Sequence, residues 1–191
     1  MAVDPVLRDE LVAMAEAERR SRGNMPPVIG PSDLDSAYPV ARRDLDALHA
    51  SRFWEILDDL ECWPGRSVVG DDGAQAAWWL AQHAVFDPEL QRRCLDMLEV
   101  AVDCDDASAL HYALLLDRVR MADGRPQLYG SQLVRGSTGP GSDGTEDAAE
   151  IVPWTIEEPD GVDARRAAIG LEPLATYLEA MRAHYRAVSR H

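Results

Sequence analysis

The most apolar stretch of the chain, AQAAWWLAQHAVF at residues 74–86, limits the possible folds more than any other feature. Alanines, a leucine and two adjacent tryptophans give it apolar side chains on most of its helical faces. A helix of this kind is stable only when other elements surround it. The stretch therefore predicts the central helix of a helical core.

The segments around this stretch show single apolar stripes at the three- and four-residue spacing of amphipathic helices. Asp4 and Pro5 predict the start of the first helix, and Gly23 predicts its end. Leu45 and Leu48 begin the stripe predicted for the second helix. Because strands do not alternate with helices, the sequence predicts a mainly α fold: one compact domain over residues 1–191 with about seven helices.

Three segments lack a helical pattern. Residues 24–39 contain four prolines and predict an extended connector, and residues 66–69 predict a short extended piece. Residues 136–149 are rich in Gly, Ser and acidic residues and predict a flexible acidic loop. The flanking pieces QLYGSQLV and EIVPWTIEE alternate weakly, which predicts one small two-stranded β-ribbon.

Charge excludes several classes of partner. The net charge is −15 and the pI is about 4.6, whereas nucleic-acid binding and adsorption to an anionic membrane need a basic surface. All nineteen basic residues are arginines, so lysine Schiff-base chemistry and a P-loop lysine are excluded. The acidic segment 136–163 has eight carboxylates and no arginine, and predicts a basic protein as a partner if the chain is an interaction protein.

The chain shows no sign of export or membrane insertion. Its N-terminus is acidic and amphipathic, unlike a signal peptide, and no window is long and apolar enough to span a bilayer. The three cysteines form no CxxC pair and leave one unpaired, which favours reduced structural thiols. We therefore expect a cytoplasmic protein.

The central helix carries a candidate proton-transfer group. Trp79 and His83 lie one turn apart on one helical face, and Gln82 is on the neighbouring face. A histidine held against a tryptophan is suited to general acid/base catalysis near neutral pH. The alternative is a core histidine whose ring nitrogens are both paired within the protein.

Asp117 and Arg118 form a second candidate pair. Asp117 falls on the apolar stripe of its predicted helix, where a carboxylate must be paired. It is a candidate to orient the His83 ring, and Arg118 is a candidate clamp for a substrate carboxylate or phosphate. Both residues fit a purely structural ion-pair network equally well.

The segment that follows, GRPQLYGSQ at residues 124–132, is dense in neutral hydrogen-bonding groups. Gln127, Tyr129 and Gln132 are suited to binding a polar substrate, and they are equally suited to fastening the segment to its own protein. Gly130 permits either a positive φ or the close approach of a ligand. No metal-ligand spacing and no dinucleotide motif occurs, so neither a metal nor a cofactor is expected.

Four motifs occur together in order. They are Trp63-Pro64 with Ser67–Gly70, WWLAQHA at 78–84, Leu116-Asp117-Arg118, and GRPQLYGSQ. This pattern resembles an uncharacterised bacterial family classed only as a domain of unknown function, and covers about residues 40–180. The resemblance implies the location of a site but no reaction. The chain departs from the family pattern at Ala17-Glu18 and at His49-Ala50.

Two functional hypotheses follow. In the first, the protein is a cofactor-independent enzyme that uses general acid/base chemistry on a polar or anionic small molecule or a peptide, in a hydrolysis, elimination or cyclisation. His83, Asp117 and Arg118 would be catalytic. The residues that would bind the substrate are Trp79, Gln82, Gln127, Tyr129 and Gln132. In the second, it is a non-catalytic acidic interaction or accessory protein.

Overall fold

A computed structural model of the chain describes residues 3–23, 40–135 and 151–188. Within these residues the fold is mainly α, with seven α-helices and one two-stranded sheet, as the sequence predicts. The predicted connector at 24–39 and the predicted loop at 136–149 both lie outside the described residues. The helices are α1 (Pro5–Arg22), α2 (Val40–Leu60), α3 (Arg66–His83), α4 (Pro88–Asp103), α5 (Ala109–Ala122), α6 (Val162–Ala168) and α7 (Leu174–Val188).

The described residues fall into two compact units. The first contains residues 3–23 and 40–115, and the second contains residues 116–135 and 151–188. Within the described residues of both units, no helix is long and apolar enough to cross a membrane.

In the first unit, α1 packs against α3 and α2. Its start is fixed by the Asp4 carboxylate, which accepts the backbone N–H groups of Val6 and Leu7, and it ends at Gly23, where φ is 54°. Both bounds agree with the sequence prediction, because a side-chain acceptor and a positive φ satisfy the free groups at helix ends.

The start of α3 differs from the prediction. Residues 66–69 are helical rather than extended, and Gly70 interrupts the helix with φ 73° and ψ 175°. After this break the helix continues to His83 and buries alanines against its neighbours. Gly70 therefore marks a kink inside one helix.

The apolar core of the first unit contains the buried apolar side chains of α2, α3, α4 and α5. Leu48, predicted to lie on the buried stripe of α2, is 65% exposed, because the buried face of that helix is rotated toward Asp46 and His49. The fully buried side chains of this core include Phe53, Leu57, Val69, Leu90, Leu98 and Leu115.

The second unit contains the β-ribbon. Strands β1 (Leu133–Arg135) and β2 (Ile151–Pro153) pair antiparallel, with Val134 opposite Val152, which confirms the predicted ribbon. Helix α7 packs on β2. Together they enclose a small core of Met121, Leu133, Val134, Ile151 and Tyr185.

We predict that Leu57→Ala lowers the free energy of unfolding by about 2–5 kcal/mol, because the fully buried leucine leaves a cavity when it is truncated. The matched control is Leu48→Ala on the same helix, which should change stability by less than about 0.5 kcal/mol. Urea denaturation followed by circular dichroism measures both. Equal effects of the two substitutions would contradict the described rotation of α2.

Candidate functional site

Asp117 lies on α5 and has no exposed surface. Its carboxylate accepts hydrogen bonds from the loop that follows the helix. One oxygen accepts the backbone N–H of Leu128 at 2.7 Å, and the other accepts the N–H and the hydroxyl of Ser131 at 3.0 and 2.9 Å. The N–H of Tyr129 lies 3.1 and 3.2 Å from the two oxygens. Burial raises the pKa of Asp117 above its usual value, and these donors oppose that rise. Asp117 therefore folds the loop back onto its own helix.

Gln127 fastens the same loop to the ribbon. Its side-chain amide nitrogen donates to the carbonyls of Gln132 at 3.0 Å and of Trp154 at 2.8 Å, and its amide oxygen accepts the N–H of Gln132 at 2.8 Å. The Gln132 side chain donates to the Ser131 hydroxyl. These contacts match the structural alternative given for the glutamines, and a role in substrate binding stays a prediction.

Two residues that the sequence analysis missed hold the loop from the C-terminal helices. The Arg166 guanidinium, 1% exposed, donates to the carbonyls of Tyr129 and Glu172, both at 2.6 Å. The Tyr177 hydroxyl donates to the carbonyl of Ser131 at 3.1 Å. Burial lowers the pKa of Arg166 and raises that of Tyr177. Arginine side chains are usually exposed, so apolar patterning does not predict that Arg166 is buried and holds this loop.

Arg118, the predicted anion clamp, is buried beside this network. Burial raises the pKa of Tyr177, and the positive charges of Arg166 and Arg118 act in the opposite direction. Tyr129, a predicted binding residue, is half-buried and its carbonyl is engaged by Arg166. The second unit thus places Asp117, Arg118, Gln127, Tyr129 and Gln132 in or beside one hydrogen-bonded loop.

The remaining predicted site residues lie at the C-terminal end of α3 in the first unit. The His83 ring is 4.2 Å from the Trp79 ring, tilted by 50°, and the Arg19 guanidinium lies 4.6 Å from the centre of the Trp79 ring. The side-chain oxygen of Gln82 and the indole nitrogen of Trp79 are both buried without a hydrogen-bond partner among the described residues. Buried polar atoms are normally paired, so a ligand or an ordered water is a candidate partner for each of these two.

The backbone at this end of α3 is held in place. The side-chain amide of Gln91 donates to the carbonyls of Ala81 and Gln82 at 3.0 and 3.3 Å. These are helix-end carbonyls that otherwise lack an intrahelical partner. The helix end that carries Gln82 and His83 is thus held by α4 through Gln91. The side-chain oxygen of Gln82 takes no part in this, since it has no hydrogen-bond partner among the described residues.

A buried polar cluster between α1 and α2 was not anticipated. His49 Nδ1 lies 3.2 Å from Glu18 Oε1, and Arg22 Nη2 lies 3.0 Å from an oxygen of Asp46. Arg42 donates to the carbonyl of Ser21 at 2.7 Å. The sequence does contain an indication that Glu18 is buried, because Glu18 continues the apolar stripe of Leu11, Met14 and Ala15 at helical spacing.

Glu18 and His49 contact each other, and each belongs to one of the two dipeptides at which the sequence analysis expects a departure from the family pattern. A carboxylate on one ring nitrogen fixes the orientation of an imidazole and determines which nitrogen carries the proton. The cluster borders a cleft of about 320 Å³, because Asp46 lines that cleft together with Ala50, Trp54, Ala84, Phe86 and Asp87.

His83 and Asp117 belong to different units, and the predicted orientation of His83 by Asp117 stays a prediction. Within the described residues, no group of three or more His, Cys, Asp or Glu side chains is arranged to hold a metal ion. The three cysteines are free thiols, and burial raises the pKa of Cys94.

Comparison with known proteins gives one finding. A model described as a family of unknown function, DUF6624, matches residues 5–188, so the chain belongs to that family. This confirms the resemblance to an uncharacterised family. No curated protein and no solved structure matches the chain.

We predict that Asp117→Asn destabilises the second unit by about 1–3 kcal/mol, because the amide nitrogen cannot accept the backbone N–H groups that the carboxylate oxygen accepts. Hydrogen exchange at the amides of Leu128, Tyr129 and Ser131 should accelerate by a corresponding factor. Glu179→Gln, an equivalent change at an exposed site on α7, is the control. Unchanged exchange at the three amides would show that Asp117 does not hold the loop.

Proposed function

We propose that this member of a family of unknown function is a cofactor-independent enzyme that uses general acid/base chemistry on a polar or anionic small molecule or a peptide. Hydrolysis, elimination and cyclisation all fit that chemistry. The observation that carries the proposal is a pair of buried atoms near His83, Gln82 Oε1 and Trp79 Nε1, that have no hydrogen-bond partner among the described residues.

An unpaired buried polar atom costs stability, and a bound ligand or an ordered water removes that cost. Gln82 Oε1 is an acceptor and Trp79 Nε1 is a donor, so the two can bind a group that has both an N–H or O–H and an oxygen. The Arg19 guanidinium over the Trp79 ring adds positive charge, which favours an anionic substrate.

In this proposal His83 transfers the proton. Its ring is half-buried and its position is restricted by contact with Trp79, so it is held in a limited range of orientations while keeping access to solvent. A positioned histidine contributes about 10²- to 10⁴-fold to the rate of a proton transfer. The Glu18–His49 pair supports the proposal as a second oriented imidazole in the same unit, and it belongs to the polar cluster whose Asp46 lines the cleft.

The test is turnover in mixtures of polar metabolites and short peptides, followed by mass spectrometry with the full-length protein. We expect at least one compound to be consumed, and His83→Ala to lower its rate by 100-fold or more while the melting temperature is kept. His184→Ala, at an exposed position on α7, is the matched control and should retain the rate.

Two further variants test the predicted anion clamp and the second histidine. Arg118→Lys keeps the charge but removes the planar fork, so a lower affinity for an anionic substrate would support the predicted clamp. His49→Gln keeps a hydrogen-bonding group on Glu18 without a titratable ring. Full turnover by His83→Ala, together with loss of turnover in His49→Gln, would overturn the role of His83 and assign proton transfer to the other histidine.

A further inference from the structure

A second pocket lies in the first unit, away from the residues used above. It has a volume of about 260 Å³ and shares no lining residue with the cleft beside Asp46. The start of α3 forms one side and the start of α5 forms the other. The lining residues are Trp63, Arg66, Asp71, Ala74, Gln75, Ala107, Ser108 and His111.

Arg66 is held in place by backbone carbonyls. Its Nη2 donates to the carbonyls of Asp105 at 2.7 Å and Ala107 at 3.3 Å, and approaches the Asp105 carboxylate at 3.4 Å. The Asp106 carboxylate fixes the adjacent turn by accepting the N–H and hydroxyl of Ser67. All of these side-chain contacts use one guanidinium nitrogen, so Nε and Nη1 are left to donate to a ligand.

His111 is fixed from the other side. Its ring stacks on the ring of Trp78 at 4.3 Å with an angle of 9°, and the Trp78 indole donates to the His111 carbonyl at 3.0 Å. Burial, and then the charge of Arg66, lowers the pKa of His111. The ring is therefore neutral at pH 7 and offers one donor and one acceptor. Trp63, packed edge-on against Phe53, supplies a rigid apolar wall.

Four polar side chains that line the pocket have no hydrogen bond or ion pair within the described part of the chain. Asp71 and Gln75 are four residues apart on α3, and Ser108 and His111 are three residues apart at the start of α5, so each pair shares a face. Side chains whose hydrogen-bonding capacity is unused and which converge on one cavity are typical of a ligand site.

We infer that this pocket binds a small zwitterion with a free carboxylate and a free ammonium group, as in an amino acid. Arg66 matches the carboxylate, because its guanidinium is always charged and its Nη1 and Nε still carry unused N–H donors. Asp71 matches the ammonium group. Gln75, Ser108 and His111 provide neutral hydrogen bonds, and Trp63 faces the apolar part of the ligand.

Charge and size both favour this ligand class. The pocket has one cation and one anion, so a phosphate would meet the Asp71 carboxylate and a dication would meet Arg66. Its volume equals that of about nine water molecules in the liquid, which suits a ligand of roughly that number of heavy atoms and not a dinucleotide or a long peptide.

The experiment titrates the full-length protein with each of the twenty L-amino acids by calorimetry, with the indole signals of Trp63 and Trp78 followed by NMR. We expect at least one amino acid to bind and to shift these signals. Its N-acetyl and carboxamide derivatives, which each lack one charge, should bind at least about tenfold more weakly. Absence of binding by all twenty, or equal binding of the capped derivatives, would overturn the inference.

Variants locate the site. Asp71→Asn should weaken binding about tenfold without affecting folding, because Asp71 has no partner to lose within the described residues. Asp96→Asn, at an exposed position on α4, is the matched control and should bind as the unmodified protein does. Equal affinity of the Asp71→Asn variant and this control would show that any binding takes place elsewhere and would reject the pocket.

Discussion

Asp117 has no contact with solvent, and a carboxylate in that position is stable only when donors surround it. The loop after α5 supplies the donors, and this requirement determines its path. Leu128, Tyr129 and Ser131 must turn their N–H groups toward the helix, and Gly130, at φ 68°, allows the turn. A Cβ at Gly130 would lie 2.8 Å from Leu174, so the glycine also permits close packing of α7.

The rest of the second unit follows from the same requirement. Turning N–H groups inward directs the carbonyls of Tyr129 and Ser131 the other way, and each needs a donor. Arg166 and Tyr177 provide them, and Gln127 joins the loop to the strand that begins at Leu133. This unit is therefore a layered hydrogen-bond network in which an acceptor on one helix is connected to donors on two others.

The buried polar side chains around the loop after α5 differ from those at the end of α3 in how they are paired. In the second unit Asp117 and Gln127 make three or more hydrogen bonds each, whereas at the end of α3 the side chains of Gln82 and Trp79 each leave a buried atom unpaired. The second unit therefore shows where polar groups build the fold. At the end of α3 the unpaired atoms among the described residues are the basis of the proposed binding role.

Much of this architecture is predictable from the sequence, because helix ends, apolar stripes and the ribbon depend on local patterns. Asp4, Pro5 and Gly23 determine the first helix in that way. The Glu18–His49 pair is not predictable so easily, because its members are 31 residues apart and Leu48 competes with His49 for the buried face. The contacts of Arg166 are not predictable for a different reason. Its acceptors are backbone carbonyls, which no sequence pattern identifies.

The unpaired oxygen of Gln82 also has a consequence for the evolution of the chain. Leaving such an atom buried costs about 1–3 kcal/mol, a large share of the roughly 5–15 kcal/mol that holds a typical domain folded. A methionine of similar length would remove that cost, so selection for stability alone would favour replacing the glutamine. With Gln82 in the proposed binding role, thermal robustness and ligand binding are opposed at this position, and a stabilising substitution there would be expected to lower ligand affinity.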